Sequence, residues 1–154
     1  MRNKFTEKIL FFPITGFAVV MGLTGLSIAL GKFYHLQWLP RILYDISVFT
    51  VLALFLLFTL AYGLKLLLNP GEVMADFRHR IRINFFSAIS ISLLLLSITF
   101  YTYFPVLAIP LWWAGVLLHT FFLFKTISFW IQHNFEIHHF NPAWFIPVVG
   151  NILI

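Results

Sequence analysis

The chain has 154 residues, 61% apolar and 10% charged, with a mean hydropathy of +0.95 and a net charge of +5. A soluble domain keeps about 45–50% apolar and about 25% charged residues, and a small one leaves much of its surface wet, so this composition excludes a water-soluble globule. The lack of cysteine excludes a disulfide framework, a thiol nucleophile and a zinc–thiolate site, and the positive charge fits lysines and arginines that orient membrane helices, with no nucleic-acid partner expected.

The first uncharged run, 10–30, follows Arg2, Lys4 and Lys8. At 1.5 Å rise per residue it reaches about 30 Å, the thickness of the hydrocarbon core. Ser27-Ile28-Ala29 imitates a signal-peptide cleavage site, but the run exceeds the about 7–15 apolar residues of a signal core, so a retained helix is expected. Pro13 falls in its first turns, and Ala18, Gly22, Gly25 and Ala29 place small residues along one face. Such a stripe serves close helix packing, or keeps a face clear for a solute.

The second run, 46–64, has Asp45 placed as its cap and ends at Lys65. Phe49, Leu52, Phe55, Leu56 and Leu60 make it bulky all round, which suits lipid contact. The third, 83–103, follows Arg78, Arg80 and Arg82, and its Asn84, Ser87, Ser90 and Ser97 fall within an arc of about 140°. These groups either bond back to their own helix or form a mildly polar lining. The fourth, 105–124, is bulky apart from His119 and ends at Lys125. A fifth, 142–154, opens on Asn141 and Pro142, a good N-cap and N1 pair, and carries a bending proline at Pro147. Its rise of about 20 Å is too short to cross, so the chain reads as a piece of a longer protein.

Orientation follows from the basic residues. Those before the first run, in the second loop and at Lys125 share one side, leaving only Lys32 and Arg41 on the other. The positive-inside rule puts the N-terminus in the cytoplasm, in a multi-pass protein of the inner (plasma) membrane. Trp38, Trp112, Trp113 and Trp130 lie near predicted span ends, where indole favours the headgroup layer. Spans one and three read as inner helices and spans two and four as outer ones, in helical hairpins. No Asp, Glu, Lys or Arg falls within an uncharged run, which favours a passive path over a proton pump or a cation-coupled carrier.

Phe12-Pro13-Ile14-Thr15-Gly16-Phe17, with Gly22-Leu23 and Leu26-Ser27, resembles the first helix of the tellurite-resistance/dicarboxylate transporter family, which includes slow anion channels. The stretch Asn141-Pro142-Ala143-Trp144-Phe145-Ile146-Pro147-Val148-Val149-Gly150-Asn151 resembles the start of its fifth helix, and Arg80 and Arg82 match the basic approach to its third. The resemblance covers about 12–154. It implies an all-α integral membrane protein, with four complete transmembrane helices and the start of a fifth forming half of a ten-helix, pseudo-fivefold fold. The odd helices would line a central pore, in a homotrimer within the lipid bilayer. Where the third helix of the family often has a kink proline, Ser90 stands here.

The expected function is therefore a channel or transporter for small anions, whether inorganic ions, C4-dicarboxylates such as malate, or tellurite. Pro13, Thr15, Gly22, Ser87, Ser90, Pro147 and Asn151 are the candidate pore-lining or pore-shaping residues; no catalytic residue, metal or cofactor is expected. The alternative is a membrane di-iron desaturase or hydroxylase built on His133, His138 and His139, since imidazole suits iron. Such sites gather more histidines than the six here, and His35 is expected on the opposite side. Iron content separates the two. A membrane scaffold is the third class, and no phosphate-binding glycine motif points to a nucleotide-driven pump.

Overall fold

The computed structural model describes residues 12–132 and 141–154. Among the described residues, four helices are long and apolar enough to cross a membrane: α1 (Gly16–His35), α2 (Arg41–Leu68), α4 (Arg82–Tyr101) and α5 (Pro105–Gln132). A short α3 (Pro70–Arg78) joins α2 to α4. The fifth span begins as a 3-10 turn, Pro142–Trp144, continues as α6 (Phe145–Val149) and tightens again over Gly150–Leu153. There is no strand among the described residues. The protein is an all-α membrane protein.

The helices outrun the uncharged runs. Lys32, Arg41, Lys65 and Lys125 all lie within helices, because a long stem buries its methylenes while its head reaches water or a partner. Among the described residues α1 starts at Gly16, later than the uncharged run: Pro13 lies ahead of it, with Gly16 N–H donating to the Pro13 carbonyl at 3.1 Å. Asp45 is not the cap of the second helix. Pro40 occupies that position with extended backbone, so α2 starts early, and Asp45 pairs with Arg41 (3.5 Å) and accepts from the Tyr103 hydroxyl. The second loop is also more ordered than a loop. Asn69, Pro70 and Glu72 supply the N-cap, the N1 proline and a first-turn acid of α3.

Burial identifies the central element. Two-thirds (67%) of the apolar stretch of α4 is buried, against 28% in α1 and 22% in α2 and α5. α4 packs on α1, α5 and α6, while α1 also packs on α2. Its neighbour α5 comes very close at Gly115, where an added Cβ would lie 2.8 Å from Leu94 Cδ2 and 3.3 Å from Leu94 N. In lipid such contact, rather than apolar burial, holds helices together. Around the α3 end, Phe17 packs edge-on to Phe55, Phe58 and Tyr62, and Phe86 stacks on Phe77 with ring centroids 3.7 Å apart. As expected, α2 and α5 turn bulky side chains outward, Leu56, Leu57 and Leu60 on one, Leu117, Phe121 and Phe124 on the other.

Candidate functional site

The small-residue stripe of α1 is open. Gly22, Gly25 and Ala29 are exposed, and a Cβ added to Gly22 or Gly25 would meet nothing within 4 Å. None of the described helices packs on that face; α1 packs instead through Phe17, Val20, Thr24, Ser27 and Gly31. Pro13 and Thr15 lie exposed at its beginning.

The serines of α4 sit elsewhere. Ser87 and Ser90 are fully buried inside the bundle, as is Asn84. The hydroxyls of Ser90, Ser92 and Ser97 donate to carbonyls of their own helix at 2.8, 2.7 and 2.6 Å. That back-bonding is the ordinary way for a hydroxyl to be satisfied in lipid. Ser87 Oγ and Asn84 Oδ1 have no partner among the described residues. No proline interrupts α4, and Ser90, at the place of the family's kink, has another role.

That role involves His119. The imidazole is fully buried, with Nδ1 3.0 Å from Ser90 Oγ and Nε2 3.0 Å from the Pro147 carbonyl. A carbonyl only accepts, so Nε2 carries the proton. In the neutral ring Nδ1 then accepts the single Ser90 proton, in competition with the Ser87 carbonyl. One ring thereby ties α4, α5 and the fifth span. Asn151, itself exposed, donates to the same Pro147 carbonyl (3.3 Å) and to Val148 (3.2 Å). Gly150 makes the approach possible, since its Cβ would fall 2.1 Å from His119 Cε1. The expected cap is present, with Asn141 Oδ1 accepting from Ala143 N–H at 2.9 Å, and Trp130 of α5 stacks on Trp144. The sequence marks His119 as the exception in a bulky span; its partners depend on helix rotation and cannot be read from spacing.

A charged cluster closes the α3 end. Asp76 accepts from Lys65 Nζ (2.8 Å), Arg82 Nη1 (2.6 Å) and the Tyr62 hydroxyl (3.0 Å). Lys65 also donates to the Phe12 carbonyl at 3.2 Å. Burial pushes the Asp76 carboxyl up, but the hydrogen bonds from Lys65, Arg82 and Tyr62 outweigh it and hold the group below its ordinary value. Sequence reasoning counts Lys65 and Arg82 as orienting charges and misses Asp76 as their shared partner. His133, His138 and His139 lie outside the described residues.

Comparison with known proteins decides what this bundle belongs to. A family model described as voltage-dependent anion channel matches residues 11–154. The chain belongs to the voltage-dependent anion channel family. The tellurite-resistance protein TehA homolog of Haemophilus influenzae is 31% identical over 145 residues, covering 90% of this chain and 43% of the relative. An uncharacterized transporter of Methanocaldococcus jannaschii is 31% identical over 160 residues, covering 93% of this chain and 42% of the relative. The chain thus spans less than half the length of these relatives. The resemblance drawn from the two proline-containing stretches is borne out.

Proposed function

We propose that the chain contributes part of the pore wall of a transmembrane channel or transporter for small anions, and is not an enzyme. Family membership supports anions as the class of solute. The observation that carries the pore reading is the open stripe of α1, where side-chain positions at Gly22 and Gly25 face free space. Spans one, three and five are the lining helices in this reading, with Pro13, Thr15, Gly22 and Asn151 on exposed surfaces and Ser87, Ser90 and Pro147 shaping the wall from inside. The full assembly is a homotrimer in the inner (plasma) membrane with a cytoplasmic N-terminus, which puts the Asp76 cluster at the cytoplasmic face. Inorganic anions, C4-dicarboxylates such as malate, and tellurite are the candidate solutes, the last suggested by the Haemophilus relative's name. The di-iron reading of His133, His138 and His139 gains nothing from the family match.

The test uses the full-length gene product in liposomes, with efflux measured for chloride, nitrate, malate and tellurite. Gly22→Leu adds a branched side chain to the open face and is expected to cut flux sharply without impairing assembly. Unchanged flux through a normally assembled variant removes Gly22 from the lining.

A further inference from the structure

Each end of α1 adjoins a pocket, and the two differ in charge. At the α3 end, a pocket of about 310 Å³ is lined by Lys65 and Arg82, but also by Asp76 and Glu72, so its charges cancel. At the opposite end, a pocket of about 210 Å³ lies between α1 and α4. Its polar lining is Lys32, His35, Tyr44, Thr99 and Thr102, with no carboxylate among the described residues. The nearby Asp45 is already taken by Arg41 and the Tyr103 hydroxyl. Lys32 is exposed and makes no ion pair among the described residues.

Three features make this a place for an anion. Lys32 continues the open stripe, since Ala18, Gly22, Gly25, Ala29 and Lys32 fall within an arc of about 80°. A helix C-terminus ordinarily repels anions, with about half a negative charge on its free carbonyls. Here the last-turn carbonyls of Lys32, Phe33 and Tyr34 already accept from Leu36, Trp38 and Gln37 N–H, so the full charge of Lys32 dominates. The volume suits a small ion with part of its hydration, a liquid water occupying about 30 Å³.

We infer that Lys32, with His35 and the threonine hydroxyls, forms a binding site for a small inorganic anion at the mouth of the pathway opposite α3. The site deepens the anion-transport reading and rests on it. Lys32 supplies the charge, His35 an imidazole N–H, and Thr102 a hydroxyl donor.

The test is chloride-35 line broadening by the purified full-length protein in detergent, for wild type, Lys32→Gln and Lys32→Arg. Lys32 is exposed, so neither substitution disturbs packing. Loss of a unit charge about 4 Å from the ion is expected to weaken binding by about fivefold or more in the glutamine variant, with the arginine variant close to wild type. Equal broadening in wild type and Lys32→Gln, or none in either, overturns the site. A lipid phosphate on Lys32 would appear instead as anionic lipid retained in native mass spectrometry and lost in Lys32→Gln, with chloride broadening unchanged, and overturns it too. Liposome flux separates the two readings: a wild type that broadens chloride but carries no anion defeats transport and keeps the site.

Discussion

Gly150 and His119 offer the sharpest test of the packing described above. A methyl at Gly150 would lie 2.1 Å from His119 Cε1, 2.6 Å from Nε2 and 2.8 Å from Ile91 Cγ1. Carbon contacts settle at about 3.5–4.0 Å, so a gap of more than about 1 Å must open. The ring cannot swing aside freely, because Ser90 and the Pro147 carbonyl hold both nitrogens. Overpacking costs about 1–3 kcal/mol, and each interhelical hydrogen bond lost in lipid about 0.6–2 kcal/mol. Gly150→Ala is therefore expected to destabilise by about 2–5 kcal/mol. In a His119→Ala background most of the obstruction is gone, and the same substitution should cost about 1 kcal/mol or less, set by Ile91. Steric-trap unfolding of the full-length protein in bicelles measures the cycle of both single variants and the double variant. Costs that add within about 0.5 kcal/mol would refute the claim that Gly150 is small because His119 is there.

Asp76→Asn removes the charge that Lys65 needs, and leaving a buried cation unpaired costs about 3–5 kcal/mol. Arg82 adds less, because its side chain is 47% exposed and finds water; unfolding of Asp76→Asn beside Arg82→Gln checks that order. Acid tests the same group: its depressed pKa contributes stability above its ordinary value of about 3.9, and this is lost as pH falls through the lower folded value. An unfolding titration with Asp76→Asn as the reference isolates that contribution. Gly115→Val should disrupt the α4–α5 pair, because the new Cβ would press on Leu94 backbone as well as on its side chain, and loss of folded protein in detergent gel filtration reports it.

Hydropathy made the four crossing helices legible, since lipid demands long apolar helices whatever their neighbours. It set their ends less well. Lys65 ends the uncharged run, yet α2 continues to Leu68 with Lys65 buried on Asp76, a pairing made by the tertiary fold. The start signals of α3 were present at Asn69, Pro70 and Glu72, but its low hydropathy hid it inside a loop. Asp45 had the right chemistry for a cap, and the extended Pro40 took the position first. Of the candidate residues, the stripe at Gly22 was legible because a face of small residues follows from periodicity alone. The partners of Ser90 were not, since they depend on how α5 is rotated against α4.

The change of helix geometry along the fifth span is a property of three helices rather than of one proline. Pro147 lacks an N–H, and beyond it the backbone tightens from α to 3-10 geometry over Gly150–Leu153, so the local carbonyls lose regular partners. Pro147 is fully buried, so water does not reach its carbonyl, which leaves side chains as donors. Asn151 donates to Pro147 from within the same helix, and His119 donates to it from α5, where Ser90 of α4 fixes the other ring nitrogen. A leucine at position 119 would fill space but leave Asn151 as the single side-chain donor to that carbonyl among the described residues. A polar, aromatic side chain in an otherwise bulky span is thus explained by the neighbour it serves. A helix that turns most of its bulky side chains outward holds the geometry of its neighbour through one inward ring.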